Sequence, residues 1–194
     1  MYKFAISGNI ASGKSVVEDI LKQKGFIVFD TDKLSHEILS DFKSEVIKAF
    51  EGFDITEGNN ISRAKLGKIV FENKDLKKKL EDIIYPKLKE KILNIFNENQ
   101  KEKYVFISIP LLFEVGWENL FDKILFIKTD ENIRLKRLMA RNQLTREEAE
   151  LRLNSQKSQD LKAKKSDFII CNNDDIINLQ KEVDEFIILL EDME

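Results

Sequence analysis

Five short apolar runs punctuate a strongly polar chain: residues 2–7 (YKFAIS), 26–29 (FIVF), 104–109 (YVFISI), 123–127 (KILFI) and 168–171 (FIIC). Each is nearly continuous in apolar character, which marks strands covered on both faces. Between them apolar residues recur at helical spacing, as in residues 14–24 (KSVVEDILKQK). Strands alternating with helices predict an α/β fold, a five-stranded parallel sheet flanked by helices. Residues 33–100 break the alternation with one long, mostly helical insertion between the second and third strands. Within it, "RAKLGKIVF" (63–71) and "DLKKKLEDIIYPKLKEKILNIFNEN" (75–99) read as helices, the second interrupted or kinked at Pro86. Open α/β sheets bind ligands beyond the carboxyl ends of their strands, so the insertion is expected to be a second-substrate lobe. One domain is expected, with its core in residues 1–32, 101–130 and 158–194.

Composition narrows the classes. The 194 residues give ample length for a sizeable core. A formal charge of −3, with 35% charged residues of mixed sign, supplies no general attraction to nucleic acid or anionic membrane. No basic patch with interleaved aromatics stands out either, so neither partner is expected. The single cysteine, Cys171, excludes an intramolecular disulfide, and its place after an apolar run suits a small buried residue. The only histidine, His36, has no sequence partner and reads as a surface residue. With no 18-residue apolar run and no secretory signal, the expected location is cytoplasmic. With no long apolar seam, the expected state is a monomer.

The chemistry begins in "SGNIASGKS", residues 7–15. Gly8-x-x-x-x-Gly13-Lys14-Ser15 is the phosphate-binding loop pattern, whose glycines let successive N–H groups converge on an anion. Lys14 can then reach the β/γ-phosphates and the Ser15 hydroxyl can ligate Mg²⁺. A strand before the loop and a helix after it place the phosphate at the positive end of a helix dipole.

The second strand leads into "FDTDK", which brings Asp30 and Asp32 to its carboxyl end. Phosphoryl transfer to an alcohol needs a group that orients the hydroxyl and accepts its proton. Asp32 is the candidate; Asp30 stays open between a metal-facing role and a helix cap. The third strand lacks the terminal acid of a Walker B element, since "YVFISIP" runs straight into Pro110. That weakens motor-ATPase readings and suits small-molecule kinases. Residues 131–157 read as a helical lid. Arg134, Arg137 and Arg141 fall three and four apart on one face, and Thr145 with Glu148 forms a capping box for the next helix. Arg141, at the break, is the strongest candidate for contacting the transferring phosphoryl group. "NKDL" (73–76) only imitates a guanine-reading motif; Asn73 or Asp75 there would cap a helix.

In order along residues 3–173, "SGNIASGKS", "FDTDKLSHEI", "ISRAKLGKIVF", "YPKL", "IPLLFEVG", "RLMARNQLTREEAELRLNSQ" and "SDFIICNN" resemble the dephospho-coenzyme A kinase family. The resemblance implies a P-loop NTPase fold of the nucleoside monophosphate kinase type, with a lid and a helical acceptor lobe. It implies transfer from ATP, with Mg²⁺, to the ribose 3′-hydroxyl of dephospho-CoA. Ala11, Ser12, Gly13, Lys14, Ser15 and Val16 would hold the ATP phosphates, Asp32 would be the base, Arg141 the lid arginine, and Asn172 would lie near the adenine. Arg63, Phe71, Tyr85, Pro86, Leu111 and Glu114 match positions forming or bordering the acceptor pocket. The chain departs from the family's habit at Val16 (Thr), Tyr85 (His), Asn142 (Asp) and in a loop less rich in glycine at Asn9 and Ala11. None of these touches Lys14, Ser15, Asp32 or Arg141.

Two other readings share the loop. A kinase for a nucleoside monophosphate would call for arginines in the acceptor lobe, where residues 33–100 hold only Arg63. A nucleotide-switched binding protein would need a guanine-reading or switch element and would hydrolyse slowly without an acceptor.

Overall fold

The computed structural model describes residues 1–193. The chain opens with β1 (Tyr2–Gly8), α1 (Lys14–Gln23) and β2 (Ile27–Asp30). Next come α2 (Thr31–Asp41), α3 (Lys43–Ala49), a small hairpin of β3 (Thr56–Glu57) and β4 (Asn60–Ile61), α4 (Arg63–Glu72) and α5 (Lys74–Glu98). It returns through β5 (Tyr104–Ser108), α6 (Leu112–Val115), a 3₁₀ turn at Glu118–Leu120 and β6 (Lys123–Lys128). It finishes with α7 (Glu131–Asn142), α8 (Arg146–Asn154), α9 (Gln159–Ala163), β7 (Phe168–Cys171) and α10 (Ile176–Glu191). Two compact units result: Met1–Phe29 with the chain from Gln100 onward, and Asp30–Asn99.

The first unit carries the five-stranded parallel sheet expected from the apolar runs, in the order β2-β5-β1-β6-β7. Register pairs Phe4 with Phe106 on β5 and with Lys123 on β6. One sheet face buries Phe4, Ile6, Phe106, Leu125, Ile127 and Ile170 against Val17, Ile20 and Leu21 of α1 and Leu179, Val183, Phe186 and Leu190 of α10. Both helices place apolar residues three and four apart, so each turns one stripe to the sheet. Phe4 sits at the centre, 4.9 Å from the Phe106 ring and edge-on to Phe186 at 6.1 Å. On the opposite face Phe126 meets Phe113 of α6 at 6.2 Å. Cys171 is exposed, not buried as its apolar neighbours suggested. β7 is the outermost strand, and alternate side chains of an edge strand can face away from the core.

The second unit is helical apart from its hairpin. Val46, Phe50, Ile55 and Leu66 form its core, with Leu39, Ile69, Leu76, Leu80 and Ile83 packed around them. Pro86 does not interrupt α5, which runs through it for 25 residues. Proline removes one backbone donor, but the buried stripe of Ile84, Leu88, Ile92 and Ile95 spans the site and holds both halves in one helix. Asn73 caps α5, accepting from the N–H groups of Asp75 and Leu76 at 2.9 and 3.1 Å. His36 is exposed on α2.

Candidate active site

Between β1 and α1 the chain turns tightly. The Ser12 N–H donates to the Asn9 carbonyl at 3.0 Å, and Val16 and Val17 both donate to the Gly13 carbonyl. Ala11 and Gly13 lie in the left-handed region, at φ 62° and 85°. Such residues bring neighbouring N–H groups to one side of a turn and create an anion-binding concavity, to which the α1 N-terminus adds its dipole. Gly8 is needed for close approach: a Cβ there would stand 2.5 Å from Ser12 Oγ and 3.1 Å from the Ile127 carbonyl of β6. Ala11 pays a conformational cost that glycine would avoid. Ile10 and Ala11 offset it by packing on Leu135, Leu138, Ala149 and Leu153 of α7 and α8.

Distant side chains fix the turn. Thr129 Oγ1 and Asn172 Nδ2 both donate to the Ser12 carbonyl, at 2.9 and 2.8 Å. Gln156 Oε1 accepts from the Ile10 N–H at 2.7 Å, and Asn9 Nδ2 donates to the Lys157 carbonyl at 3.0 Å. Thr129, Gln156 and Lys157 were not singled out by sequence. Each is one polar residue at an element's end, more than 100 positions from its partner, and no local spacing reveals it.

The turn forms one wall of a cavity of about 360 Å³. Ala11, Gly13, Ser15 and Val16 line that wall, Arg137 and Arg141 another, and Asn172 with Asp174 to Ile176 closes it. Of the expected loop residues, Ala11, Gly13, Ser15 and Val16 are thus brought together with Asn172 and Arg141, while Ser12 and Lys14 are not among the lining residues. Arg137 donates from Nη1 to the Asn172 carbonyl at 3.1 Å, while Arg141 is exposed, its Nε 3.0 Å from Asn142 Oδ1. Both halves of the Thr145–Glu148 capping box are present at the start of α8.

Arg134 does not join its two neighbours. Two helical turns from Arg141 put it about 10 Å further along the axis. There it is buried and lines a separate polar cavity with Asn9, Gln156 and Lys157. Burial pulls its guanidinium below the usual arginine range, with the Glu131 carboxylate opposing the shift. Nearby, Lys162 is 1% exposed and 2.6 Å from Glu114 Oε1. Burial lowers the Lys162 ammonium despite that carboxylate, and Lys157 and Arg134 lower it further. Glu114 Oε1 also accepts from the Lys157 N–H at 3.2 Å, so this residue ties α6 to the segment after the lid helices. Leu111, which precedes α6, is exposed.

Lys14 is not among the residues lining this cavity. Its ammonium pairs with Glu18 Oε1 at 2.7 Å and donates to Ser108 Oγ. The Ser15 hydroxyl, by contrast, is exposed at the cavity. Among the described residues no group of three or more His, Cys, Asp or Glu side chains could hold a metal by itself. Ser15 suits Mg²⁺ in the way that ion is usually bound, through few protein ligands and the nucleotide's own phosphates.

In the second unit Asp30 resolves as a cap: its Oδ1 accepts from the Asp32 N–H at 2.9 Å at the start of α2. Asp32 is exposed in the first turn of that helix. Arg63 opens α4 and Phe71 near its end is 84% exposed, an aromatic face open to contact. Tyr85, half-buried beside Pro86 on α5, donates to Glu81 Oε1 at 3.1 Å. A third cavity, of about 390 Å³, lies between α2 and α5, where Lys87 and Lys91 already pair with Glu45 and Glu37 at 3.0 and 2.5 Å.

Comparison with known proteins agrees with this architecture. The sequence model of the dephospho-CoA kinase family matches residues 2–178. A dephospho-CoA kinase of Listeria innocua is 40% identical over 190 residues, covering 94% of each chain. The solved dephospho-CoA kinase from Campylobacter jejuni superposes with a TM-score of 0.76 at 36% identity, covering 98% of this chain and 97% of that one. A Thermus thermophilus protein of known structure superposes with a TM-score of 0.86 at 27% identity, over 100% of this chain and 98% of its own. Among the described residues no helix is long and apolar enough to cross a membrane. With the family pattern spanning nearly the whole chain and curated relatives about 40% identical over 94% of it, this protein belongs to the dephospho-CoA kinase family.

Proposed function

We propose that this protein transfers the γ-phosphoryl group of ATP to the ribose 3′-hydroxyl of dephospho-CoA, giving CoA and ADP, the last step of coenzyme A synthesis. The carrying observation is the turn at residues 8–15 opening on a cavity whose other wall holds Arg137 and Arg141. Family membership supplies the acceptor.

In this reading the amides of Ala11 to Val16 and the Lys14 ammonium take the β- and γ-phosphates, with the adenine towards Asn172. Phosphoryl transfer spreads charge over the three equatorial oxygens, so positioning and cations do most of the catalysis. Arg141, with Arg137 behind it, meets that charge as α7 and α8 close as a lid. The Ser15 hydroxyl would hold Mg²⁺, which would supply positive charge to offset that of the nucleotide phosphates. Asp32 orients the 3′-hydroxyl and accepts its proton as the oxygen attacks γ-phosphorus and the bond to the ADP oxygen breaks. Arg63, Phe71, Tyr85, Pro86, Leu111 and Glu114 border the acceptor. Glu114 acts there through Lys162 rather than as a free carboxylate. The protein works as a cytoplasmic monomer, with neither nucleic acid nor membrane as partner.

The test is direct detection of CoA after mixing protein, MgATP and dephospho-CoA, with AMP and adenosine as parallel acceptors. Mg²⁺-dependent CoA formation that excludes the others is expected. Asp32→Asn, which keeps the shape and removes the base, should lower turnover by about 10²- to 10⁴-fold. Transfer to AMP but not to dephospho-CoA would discard the acceptor and keep the loop chemistry.

A further inference from the structure

β5 ends at Ser108 and carries no acid where P-loop ATPases place the Walker B aspartate beside the loop. Ser108 is nonetheless well placed, in register with Ile6 on the strand that feeds the loop. A carboxylate reaches it from elsewhere. Glu18, one helical turn beyond Lys14 on α1, is 3% exposed. Its Oε1 accepts from Ser108 Oγ at 2.6 Å and from Lys14 Nζ at 2.7 Å, and Lys14 donates to Ser108 as well. The three side chains close a triangle. Glu18 shares the buried side of α1 with Val17 and Leu21, where an apolar residue would fit without desolvation cost. A carboxylate is kept there because both of its partners are there too.

An ammonium has three N–H donors. Glu18 and Ser108 take two, which fixes the ammonium's place and leaves one donor for a phosphate oxygen. We propose that Glu18 is the positioning residue of Lys14, supplying from α1 the carboxylate that β5 lacks. This rests on the loop's role in holding ATP phosphates, so its test must separate the two.

Four variants do so: Glu18→Gln, Glu18→Gln with Ser108→Asp, Ser108→Ala and Lys14→Met. Each is assayed for CoA formation, for ATP affinity by equilibrium titration and for melting temperature. Glu18→Gln should lower kcat roughly 10- to 100-fold, the size of a lost charged hydrogen bond, with ATP affinity within about threefold of wild type. Ser108→Asp in that background returns a carboxylate to the strand end and should recover most of the loss, a rescue that a purely structural Glu18 would not show. Ser108→Ala keeps the ion pair but frees its orientation, and should lower kcat about three- to tenfold. Wild-type kcat in Glu18→Gln or in Ser108→Ala overturns the proposal, as does a double variant that melts like wild type yet stays slow. If Glu18→Gln loses its cooperative melt, Ser108→Ala decides alone. Wild-type kcat in Lys14→Met would instead overturn the loop reading itself.

Discussion

Gly13→Ala should damage the loop by two mechanisms that can be separated. Gly13 lies at φ 85°, where any L side chain costs about 1–2 kcal/mol. The new Cβ would also stand 2.1 Å from Asn172 Nδ2. Asn172 is 5% exposed and cannot step aside cheaply. Its Nδ2 holds the Ser12 carbonyl at 2.8 Å, and Arg137 Nη2 approaches its Oδ1 at 3.4 Å. Losing a buried hydrogen bond costs about 1–3 kcal/mol. The Ser12 carbonyl keeps the Thr129 hydroxyl at 2.9 Å, which favours the lower half of that range. The sum is about 2–4 kcal/mol, or roughly 4–16 °C in Tm for a chain of this size. Calorimetry on Gly13→Ala, Asn172→Ala and the double variant tests it. Deleting the obstructing amide should leave only the conformational cost, so the two effects should fall short of additivity by about 1–2 kcal/mol. A Gly13→Ala protein melting within about 2 °C of wild type, or strict additivity, would refute the reasoning.

Other outcomes follow from the same geometry. Arg141→Ala removes an exposed cavity guanidinium, so kcat for CoA formation should fall about 10²-fold or more with Tm unchanged; a loss under about fivefold would remove it from the mechanism. Glu114→Gln leaves the buried Lys162 ammonium without its counter-charge and should cost about 3 kcal/mol in urea denaturation, less than 1 kcal/mol being the contrary result. Burial, and then the Glu81 carboxylate, hold the Tyr85 phenol above its ordinary value of 10.0. The folded protein therefore keeps a proton that the unfolded chain loses, and this stabilisation, complete below about pH 10, is lost as pH rises beyond it. Tyr85→Phe should flatten the alkaline loss of urea midpoint, and a slope equal to wild type would exclude the phenol as its source.

The sheet was legible because its strands are short, apolar and bounded by polar helices, so one-dimensional periodicity carried the information. All five runs became strands of one parallel sheet. The β3–β4 hairpin escaped because two residues per strand show no period. Cys171 is exposed where its apolar run suggested burial, because an edge strand overrules local preference, while at Pro86 the buried stripe carries α5 through without interruption. Arg134 misled because helical spacing gives angle around the axis and says nothing of depth along it. Glu18 did carry a signal, the i to i+4 spacing from Lys14, but its meaning depended on Ser108, 90 residues away.

The departures at Asn9 and Ala11 make physical sense once those distant contacts are counted. A glycine-rich turn reaches its left-handed conformations without strain but leaves the unfolded chain with more entropy to lose. Here the chain uses alanine at φ 62° and asparagine at a buried position, and ties both down. Asn9 holds the Lys157 carbonyl, Ile10 is held by Gln156, and Ala11 rests on α7 and α8. The turn is therefore shaped by contacts from the α7–α8 segment and the residues just after it, and α7 carries Arg137 and Arg141. Arg137 extends the link, since the Asn172 it holds is also the residue that pins Ser12. The turn and the arginine wall share one set of contacts, so substitutions at Gln156 or Asn172 should disturb ATP affinity and arginine placement together. A variant that weakened ATP binding while leaving the Arg141 contribution to kcat intact would show that the two walls are held independently.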